Sequence, residues 1–261
     1  MTVRAHAPGS VTTVFVPQDD GSLGVSFATE DGVTARVTPA DETTVTLNDE
    51  RTEFEPVSGV LRDLGVTARV ELDAEIPVGR GFGASGAATL STALAANEAF
   101  DLGLTREDCV DAAHRAEVAA GTGLGDVFVQ DLGGLAWNTG DGRNRVERTD
   151  RIEYASFGDI ATADVLGDDE AMARITDAGT EALAGFDPDA SLAEWFRKSW
   201  SFAERVGLED DAVTDAVADV RSAGGGATMA MVGATVVAAG VEDVLPNATR
   251  ISPDGARVLS R

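Results

Sequence analysis

Glycine and other small residues are concentrated in one short segment of the chain, residues 77–88. The segment reads Pro-Val-Gly-Arg-Gly-Phe-Gly-Ala-Ser-Gly-Ala-Ala, with four glycines between positions 79 and 86, and it leads into an Ala/Leu-rich helical pattern. Such a turn exposes backbone N–H groups at the N-terminus of a helix, where an anion is stabilised. The segment therefore predicts a phosphate-binding loop.

Two common phosphate-binding patterns do not account for this loop. Residues 81–86 match G-x-G-x-x-G, but a dinucleotide-binding fold needs a buried strand before the loop and a second strand that ends in an acidic residue. Here the preceding strand pattern alternates, and Glu98 and Asp101 lie on or just after the helix. The Walker A pattern is excluded because no G-K-[ST] occurs. A strand-to-helix turn without a ligand stays open as the alternative at this point.

The loop lies between an alternating strand pattern and a buried helix pattern. Residues 66–76 place apolar side chains on one face with a period of two, which predicts a strand packed on one side. Residues 85–100 are apolar around most of the helix circumference, which predicts a central, buried helix. The first 75 residues are β-rich. Further strands are predicted at 11–16, 24–28, 32–37 and 43–47.

Helical patterns and a late hairpin make up most of the remaining chain. Thr105 and Asp108 form a capping-box pattern that opens a helix reaching Ala120. The polar segment 141–150 is the predicted boundary, with domains at 1–148 and 149–261, the second a smaller α+β unit. Strands are predicted from 135 to 138 and on either side of Gly233, and helices at 168–184, 190–206 and 209–222.

Acidic residues dominate the charge of the chain. Its 261 residues include 45 Asp and Glu against 20 Lys and Arg, for a net charge of −25, and Lys198 is the only lysine. This field repels polyanions, so nucleic acid is not expected as a partner. Self-repulsion on this scale destabilises a compact fold unless salt screens it, which favours a halophile with a high-salt cytoplasm. An acidic protein from a GC-rich genome is the alternative, but it does not explain so many carboxylates.

The location expected from the sequence is the cytoplasm. Cys109 is the only cysteine, so no internal disulfide can form and a reducing compartment is expected. The N-terminus has no charged segment followed by an apolar stretch, so secretion is not expected. The most apolar tract, residues 227–239, is too short to span a bilayer.

Three glycine-containing segments, taken in order, resemble the three motifs of the GHMP kinases. Residues 77–86 resemble the family loop Pro-x-x-x-Gly-Leu-Gly-Ser-Ser-Ala, residues 7–10 (Ala-Pro-Gly-Ser) resemble the first motif A-P-G-[KR], and residues 224–230 resemble the third, glycine-rich motif. The resemblance covers most of the chain. It implies an α+β fold of two domains, the first like domain 2 of ribosomal protein S5 and the second ferredoxin-like, with the active site between them.

The resemblance also implies a kinase that uses ATP and Mg²⁺, and it assigns roles to residues of this chain. Asp126 corresponds to the catalytic aspartate, which accepts or orients the attacking hydroxyl. Ser85 and Glu117 correspond to oxygen ligands of Mg²⁺. The residues expected to bind the nucleotide are Pro77, Gly79, Arg80, Gly81, Phe82, Gly83, Ala84, Ser85, Gly86 and Ala87. Those expected to bind the substrate are Pro8, Gly9, Ser10, Thr12, Gly225 and Gly226.

Within the superfamily, residues 8–12, 123–127 and 226–233 are most similar to the archaeal family that phosphorylates pantoate on the route to coenzyme A. That similarity implies a small anionic substrate and allows a homodimer. The alternatives are a kinase for another small alcohol (homoserine, mevalonate or shikimate) and an inactive nucleotide-binding sensor. An arginine is expected to bind the substrate carboxylate, with Arg4, Arg80 and Arg221 as candidates.

Four further residues bear on these assignments, because they depart from the family pattern or could compete for a role. Family members with an aspartate base often carry Lys in the first motif, whereas this chain has Ser10, which leaves open what assists proton transfer. Asp131 is the nearest rival of Asp126 and is predicted to be a turn or surface carboxylate. His114 is predicted to form structural hydrogen bonds, because it and His6 are too few for a zinc site.

Overall fold

A computed structural model of the chain describes residues 1–18, 21–123, 125–158 and 168–260. Leu124, part of the segment 123–127 discussed above, lies outside the described residues. The strands are β1 (Val3–Gln18), β2 (Gly21–Pro39), β3 (Thr44–Leu47), β4 (Glu50–Arg51), β5 (Ala68–Ala74), β6 (Leu135–Asn138), β7 (Asn144–Val146), β8 (Arg151–Gly158), β9 (Gly226–Met229), β10 (Ala234–Ala239), β11 (Asn247–Arg250) and β12 (Arg257–Ser260). The helices are α1 (Glu55–Asp63), α2 (Ala84–Phe100), α3 (Arg106–Ala120), α4 (Asp126–Leu132), α5 (Asp169–Ala184), α6 (Leu192–Val206) and α7 (Asp211–Ser222).

A sheet of eight strands forms the first layer. Its order is β12-β1-β2-β5-β3-β4, and β6 pairs with β2 and with β7. The long strand β2 pairs with β5 through residues 33–39 and with β6 through residues 24–27. Strands β3 and β5 run parallel, and α1 lies between them in the chain. The predicted alternation of β5 is confirmed, because every second side chain of this strand is buried.

Helix α2 is the central helix of this layer. It packs against β1, β2 and α3, and its buried residues cover its whole circumference. The capping box of α3 is confirmed, because the Thr105 hydroxyl accepts from the Asp108 N–H while the Asp108 carboxylate accepts from the Thr105 N–H. The interpretation of the first 75 residues as β-rich missed α1, a helix whose first turn contains Pro56, where proline is tolerated.

The second sheet has four antiparallel strands in the order β11-β8-β10-β9. Taken in chain order this is 4-1-3-2, the order of the ferredoxin-like fold that the resemblance implied. Helices α5, α6 and α7 lie between β8 and β9 in the chain, whereas residues 240–246 connect β10 to β11 without a helix. The last strand, β12, returns to the first sheet and pairs with β1.

One buried core runs through both sheets. Phe15 on β1 packs edge-to-face on Phe202 of α6, with ring centroids 6.2 Å apart. The indole N–H of Trp195 donates to the buried hydroxyl of Thr13 at 2.9 Å. An isolated bridge between Thr12 and Met231 also joins the two halves. None of the helices in the described part of the chain is long and apolar enough to cross a membrane.

Candidate active site

The glycine-rich loop turns directly into α2, and its glycines are required by their conformation and neighbours. Gly83 caps the helix in the left-handed region, with φ 61°. Gly81 has φ 84°, and a Cβ built there would lie 2.9 Å from the carbonyl oxygen of Ala230. Ser85 lies inside the first turn and is not the N-cap. The first turn of α2 therefore presents its N–H groups where an anion is stabilised.

The first and third motifs both contact this loop. The Ser10 N–H donates to the carbonyl oxygen of Phe82 at 2.9 Å. A Cβ on Gly9 would lie 2.4 Å from the Thr29 hydroxyl and 3.2 Å from the Phe82 carbonyl oxygen. On the other side, a Cβ on Gly81 would lie 2.9 Å from the carbonyl oxygen of Ala230, the last residue of the third motif. A Cβ on Gly233, three residues further along the chain, would lie 2.5 Å from the carbonyl carbon of Arg80. The three glycine-containing segments are therefore assembled around one loop.

Asp126 lies in the first turn of α4 and accepts a hydrogen bond from Ser10. The Ser10 hydroxyl donates to Oδ1 at 2.6 Å. Burial raises the pKa of the Asp126 carboxyl, and the Ser10 hydrogen bond opposes that shift. Ser10 therefore gives the carboxylate a neutral donor at the position where the resembled motif carries Lys or Arg.

Glu117 lies on α3, only 3% exposed, and accepts hydrogen bonds from three hydroxyl groups. Ser85 and Thr89 donate to its Oε1 at 2.8 and 2.7 Å, and Thr122 donates to its Oε2 at 2.8 Å. Burial raises the pKa of the Glu117 carboxyl, these hydrogen bonds lower it, and the nearby Asp126 raises it further. The hydroxyl of Ser85 and the carboxylate of Glu117 thus meet beside the phosphate-binding turn.

The carboxylates of Glu117 and Asp126 face each other across Gly123. A Cβ on Gly123 would lie 3.2 Å from Oε2 of Glu117 and 3.7 Å from Oδ2 of Asp126. No cluster of three or more His, Cys, Asp or Glu side chains within the described ranges could hold a metal ion. Ser85 and Glu117 nevertheless supply the hard oxygen donors that Mg²⁺ prefers, and phosphate oxygens commonly complete such sites.

A cavity of about 520 Å³ opens beside Asp126. Thr12, Ser26 and Met231 line it from β1, β2 and the segment after β9, and Asp126 lies on its wall. Arg143, which the sequence analysis did not single out, is the one Lys or Arg among its described lining residues. The Arg143 guanidinium carbon lies 3.4 Å from the centroid of the Phe128 ring, a cation–π contact. The cavity thus offers a carboxylate, hydroxyl groups and a guanidinium group.

A second, more open cleft of about 470 Å³ lies at the other end of the loop. Pro77 and Arg80 line it together with Tyr154 of β8. Phe82 is buried beneath the loop, with its ring centroid 4.8 Å from that of Tyr154. Gly79 is exposed, whereas Ala84, Gly86 and Ala87 are buried in the first turn of α2.

Several predicted site residues lie in packing contacts away from the 520 Å³ cavity. A Cβ on Gly226 would lie 1.8 Å from the carbonyl oxygen of Ala193, and one on Gly225 would lie 2.4 Å from Val241. These glycines allow α6 and the end of β10 to approach β9. Neither glycine lines the cavity beside Asp126, and their contact with substrate stays a prediction. Pro8 is buried in β1 and is not among the cavity residues.

The structure also shows where the remaining residues named in the sequence analysis lie. Arg4 is exposed on β1, and Arg221 lies 5.8 Å from the Trp200 ring. Asp131 is paired with Arg106 at 2.6 Å, away from Ser10. His114 packs on Phe128 at 4.8 Å between ring centroids, and its buried Nδ1 has no hydrogen-bond partner among the described residues, so the hydrogen bond predicted for it is not seen there.

Comparison of the sequence with known proteins identifies similar kinases. Residues 54–134 match the family described as GHMP kinases N terminal domain. A pantoate kinase from Methanospirillum hungatei is 29% identical to the chain, over 98% of this chain and 96% of that protein. The matched segment begins one residue before α1 and ends after α4, so it includes the loop and the residues around Glu117 and Asp126.

Solved structures agree on the fold. A phosphotransferase related to the CoA biosynthesis pathway has a TM-score of 0.84 at 23% identity, covering 100% of this chain and 99% of that chain. A structure described as MDDEF in complex with MVAPP, AMPPCP and magnesium has a TM-score of 0.69 at 14% identity, covering 100% and 99%. The α+β fold is therefore the GHMP kinase fold, and residues 54–134 match the N-terminal domain of that family.

Proposed function

We propose that this protein transfers the γ-phosphoryl group of ATP to the terminal hydroxyl of pantoate, forming 4-phosphopantoate in archaeal coenzyme A biosynthesis. The observation that carries the proposal is the Ser10–Asp126 pair, a buried carboxylate with a hydroxyl donor 2.6 Å away on the wall of the cavity of about 520 Å³. The relative from Methanospirillum hungatei supports the choice of substrate.

Asp126 is proposed as the group that receives the proton of the attacking hydroxyl. As the bond between the substrate oxygen and the γ-phosphorus forms, the bond to the bridging oxygen breaks and ADP leaves. The hydroxyl proton passes to the Asp126 carboxylate, whose raised pKa makes it a better proton acceptor than an exposed aspartate. Ser10 holds Oδ1, which leaves Oδ2 to face the substrate.

The loop and the first turn of α2 are proposed to bind the nucleotide phosphates. Backbone N–H groups at residues 83–86 and the helix dipole supply partial positive charge, where other nucleotide-binding loops use a lysine. Ser85 and Glu117 would hold Mg²⁺, which offsets phosphate charge when bound. The hydroxyl of Ser85, now donating to Glu117, is the group that would turn to the metal.

Arg143 is proposed to bind the substrate carboxylate. A guanidinium group suits a carboxylate because it can donate two parallel hydrogen bonds. Stacking on Phe128 holds this side chain at the cavity in which Asp126 lies. None of the arginines singled out from the sequence, Arg4, Arg80 and Arg221, lines that cavity.

The experiment is a coupled assay of ADP release in molar KCl with pantoate, homoserine, mevalonate and shikimate. Turnover with pantoate above the others is expected. Turnover with a different alcohol would reassign the substrate, and absence of turnover with every alcohol would favour a nucleotide-binding sensor.

Asp126→Asn tests the proposed base in the same assay. It should lower kcat at least ~100-fold, since general-base catalysis contributes roughly 10²–10⁴. ATP affinity should be retained, because the loop is untouched. Glu117→Gln should instead raise the Mg²⁺ concentration needed for half-maximal rate. An Asp126→Asn variant with wild-type kcat would show that another group accepts the proton.

A further inference from the structure

Gln130 is a fully buried amide on α4, one helical turn after Asp126. Residues four apart lie on the same face of a helix, so both side chains point toward the loop side of α4. The Nε2 of Gln130 donates to the carbonyl oxygen of Gly83 at 2.7 Å. Gly83 is the residue that caps α2. One side chain therefore connects the helix that carries Asp126 with the turn that starts α2.

The loop fits closely around this amide. A Cβ on Gly83 would lie 2.9 Å from Nε2 of Gln130, and a Cβ on Gly86 would lie 2.8 Å from its Oε1. The same Cβ on Gly86 would lie 3.3 Å from the Cβ of Asp126. Both glycines leave room for Gln130 and let α4 approach α2, so a shift between the two helices would break the hydrogen bond and open this contact.

The side-chain amide of Gln130 uses only one of its two polar atoms in a hydrogen bond. Oε1 of Gln130 is buried and has no hydrogen-bond partner in the part of the chain that the structure describes. An unpaired buried acceptor costs free energy, whereas methionine, of similar length, would avoid that cost. Stability alone would therefore favour an apolar residue at position 130, and the contact made by Nε2 is what the amide provides.

Helix α4 depends on such contacts because it has only seven residues. A helix this short does not hold its position without tertiary contacts. Its C-terminal end is fixed by the Ala256 N–H, which donates to the Gln130 carbonyl oxygen at 2.8 Å, and by Arg106, which donates to the backbone carbonyl oxygen of Asp131 at 3.2 Å. These contacts lie away from the loop, whereas the Gln130 side chain and the Ser10–Asp126 bond face it.

We propose that Gln130 is a positioning residue that fixes Asp126 relative to the phosphates bound at the start of α2. The inference rests on the proposed function, since it assigns a task in the same transfer. A displacement of ~1 Å between reacting groups can lower the rate ~100-fold. Gln130 thus acts on the alignment of the hydroxyl with the γ-phosphorus and not on either substrate alone.

Gln130→Met removes the donor and the unpaired acceptor while keeping the length of the side chain. Its kcat should fall at least ~10-fold with KM for ATP and for the alcohol nearly unchanged, the pattern of lost alignment. Asp131→Asn is the matched control: it changes the neighbouring residue of the same helix, whose carboxylate pairs with Arg106 outside the site, and its kcat should be that of the wild type. A Gln130→Met kcat equal to the control would overturn the proposal.

Amide hydrogen exchange at Ala87 gives a readout that does not need turnover. The Ala87 N–H donates to the same Gly83 carbonyl oxygen at 3.0 Å. Its exchange should be faster in Gln130→Met than in Asp131→Asn, and equal rates would overturn the proposal even if activity falls. If the wild type turns over no alcohol, the proposed function fails, while exchange still decides whether Gln130 fixes the loop.

Gln130→Asn provides a second variant, because its amide is one methylene too short to reach Gly83. It should reproduce the kinetic and exchange behaviour of Gln130→Met. If both variants unfold at a temperature where Asp131→Asn is native, Gln130 serves stability, and the positioning role is overturned.

Discussion

A hydroxyl donor and a cationic donor would affect Asp126 differently. A lysine beside this carboxylate would lower its pKa strongly, because a full opposite charge stabilises the ionised form. Ser10 contributes one neutral hydrogen bond, which lowers the pKa by less than burial raises it. Asp126 therefore keeps a pKa above the ordinary aspartate value of 3.8. The substitution of Lys or Arg by Ser thus favours a carboxylate that binds a proton more readily.

Ser10→Ala should shift the pH dependence of the reaction. The variant loses the hydrogen bond that stabilises ionised Asp126, so the pKa of the carboxyl rises further. Because Asp126 must be ionised to accept a proton, the acidic limb of kcat/KM against pH should move to higher pH than in the wild type.

Ser91→Ala is the matched control for this measurement. Ser91 is a buried hydroxyl of α2 that donates to the Ala87 carbonyl oxygen, outside the site. Its acidic limb should coincide with that of the wild type. An unmoved or lowered limb in Ser10→Ala would show that Ser10 does not tune Asp126.

Motif spacing predicted the part of the site that depends on local sequence. Ser10, Ser85, Glu117 and Asp126 were singled out, and the structure brings them together around the loop. Their catalytic and metal-binding roles stay predictions. Arg143 was missed because it lies between β6 and β7, and no local pattern shows that this connection folds back over the cavity.

Glu153 shows how a charged residue can organise a β-element. It lies on β8, 1% exposed, and accepts backbone N–H bonds from Asp243, Val244 and Leu245 at 2.6, 2.9 and 3.0 Å. Burial alone raises the pKa of the Glu153 carboxyl, but these hydrogen bonds and Arg151 together lower it below its ordinary value of 4.5. The carboxylate therefore holds the connection from β10 to β11, where a helix is absent from residues 240–246.

Glu153→Gln should destabilise the fold by about 1–3 kcal/mol, because the amide cannot replace a carboxylate that accepts from three N–H groups. The folded-state pKa of Glu153 is lowered, so its contribution is present above pH 4.5 and is lost as the pH falls through the folded-state pKa. The difference in unfolding free energy between wild type and variant should therefore shrink in acid.

Denaturant unfolding across this pH range measures the effect. Glu147→Gln is the control, because Glu147 is an exposed glutamate paired with Arg145 and should change stability little. A Glu153→Gln variant as stable as this control at neutral pH would contradict the assigned role of Glu153.

Elements were predicted where a pattern was periodic and long enough. Helices α2 and α3 were recovered from apolar coverage and a capping box, and β5 from its alternation. Helix α4 was missed because seven residues between glycines do not show helical periodicity. Strand β8 was missed because Glu153 faces the interior and interrupts the apolar pattern. Strand β12 exists through pairing with β1, at the other end of the chain, which no local pattern indicates.

At the scale of the whole molecule, one core joins the two sheets while the surface carries the charge. The core residues form a single cluster that includes Phe15 of β1 and Phe202 of α6, so the two sheets are expected to unfold together. Ion pairs cannot neutralise the surface charge, because the chain has only 20 Lys and Arg for 45 Asp and Glu. We propose that salt in a halophilic cytoplasm screens the remaining repulsion.

Dialysis to low salt should therefore unfold the protein in one transition. The Debye length, the distance beyond which charges are largely screened from each other, is about 30 Å at 0.01 M salt and about 3 Å at 1 M. Repulsion among the surplus carboxylates therefore acts over the whole surface when salt is removed. The midpoint of urea unfolding should rise steadily with KCl, followed by circular dichroism and by the fluorescence of Trp195 and the other tryptophans. Sucrose, which favours compact states without screening charge, is the control and should restore stability less than KCl. A full folded signal in 0.01 M salt, with an unchanged urea midpoint, would show that the acidic surface imposes no salt requirement.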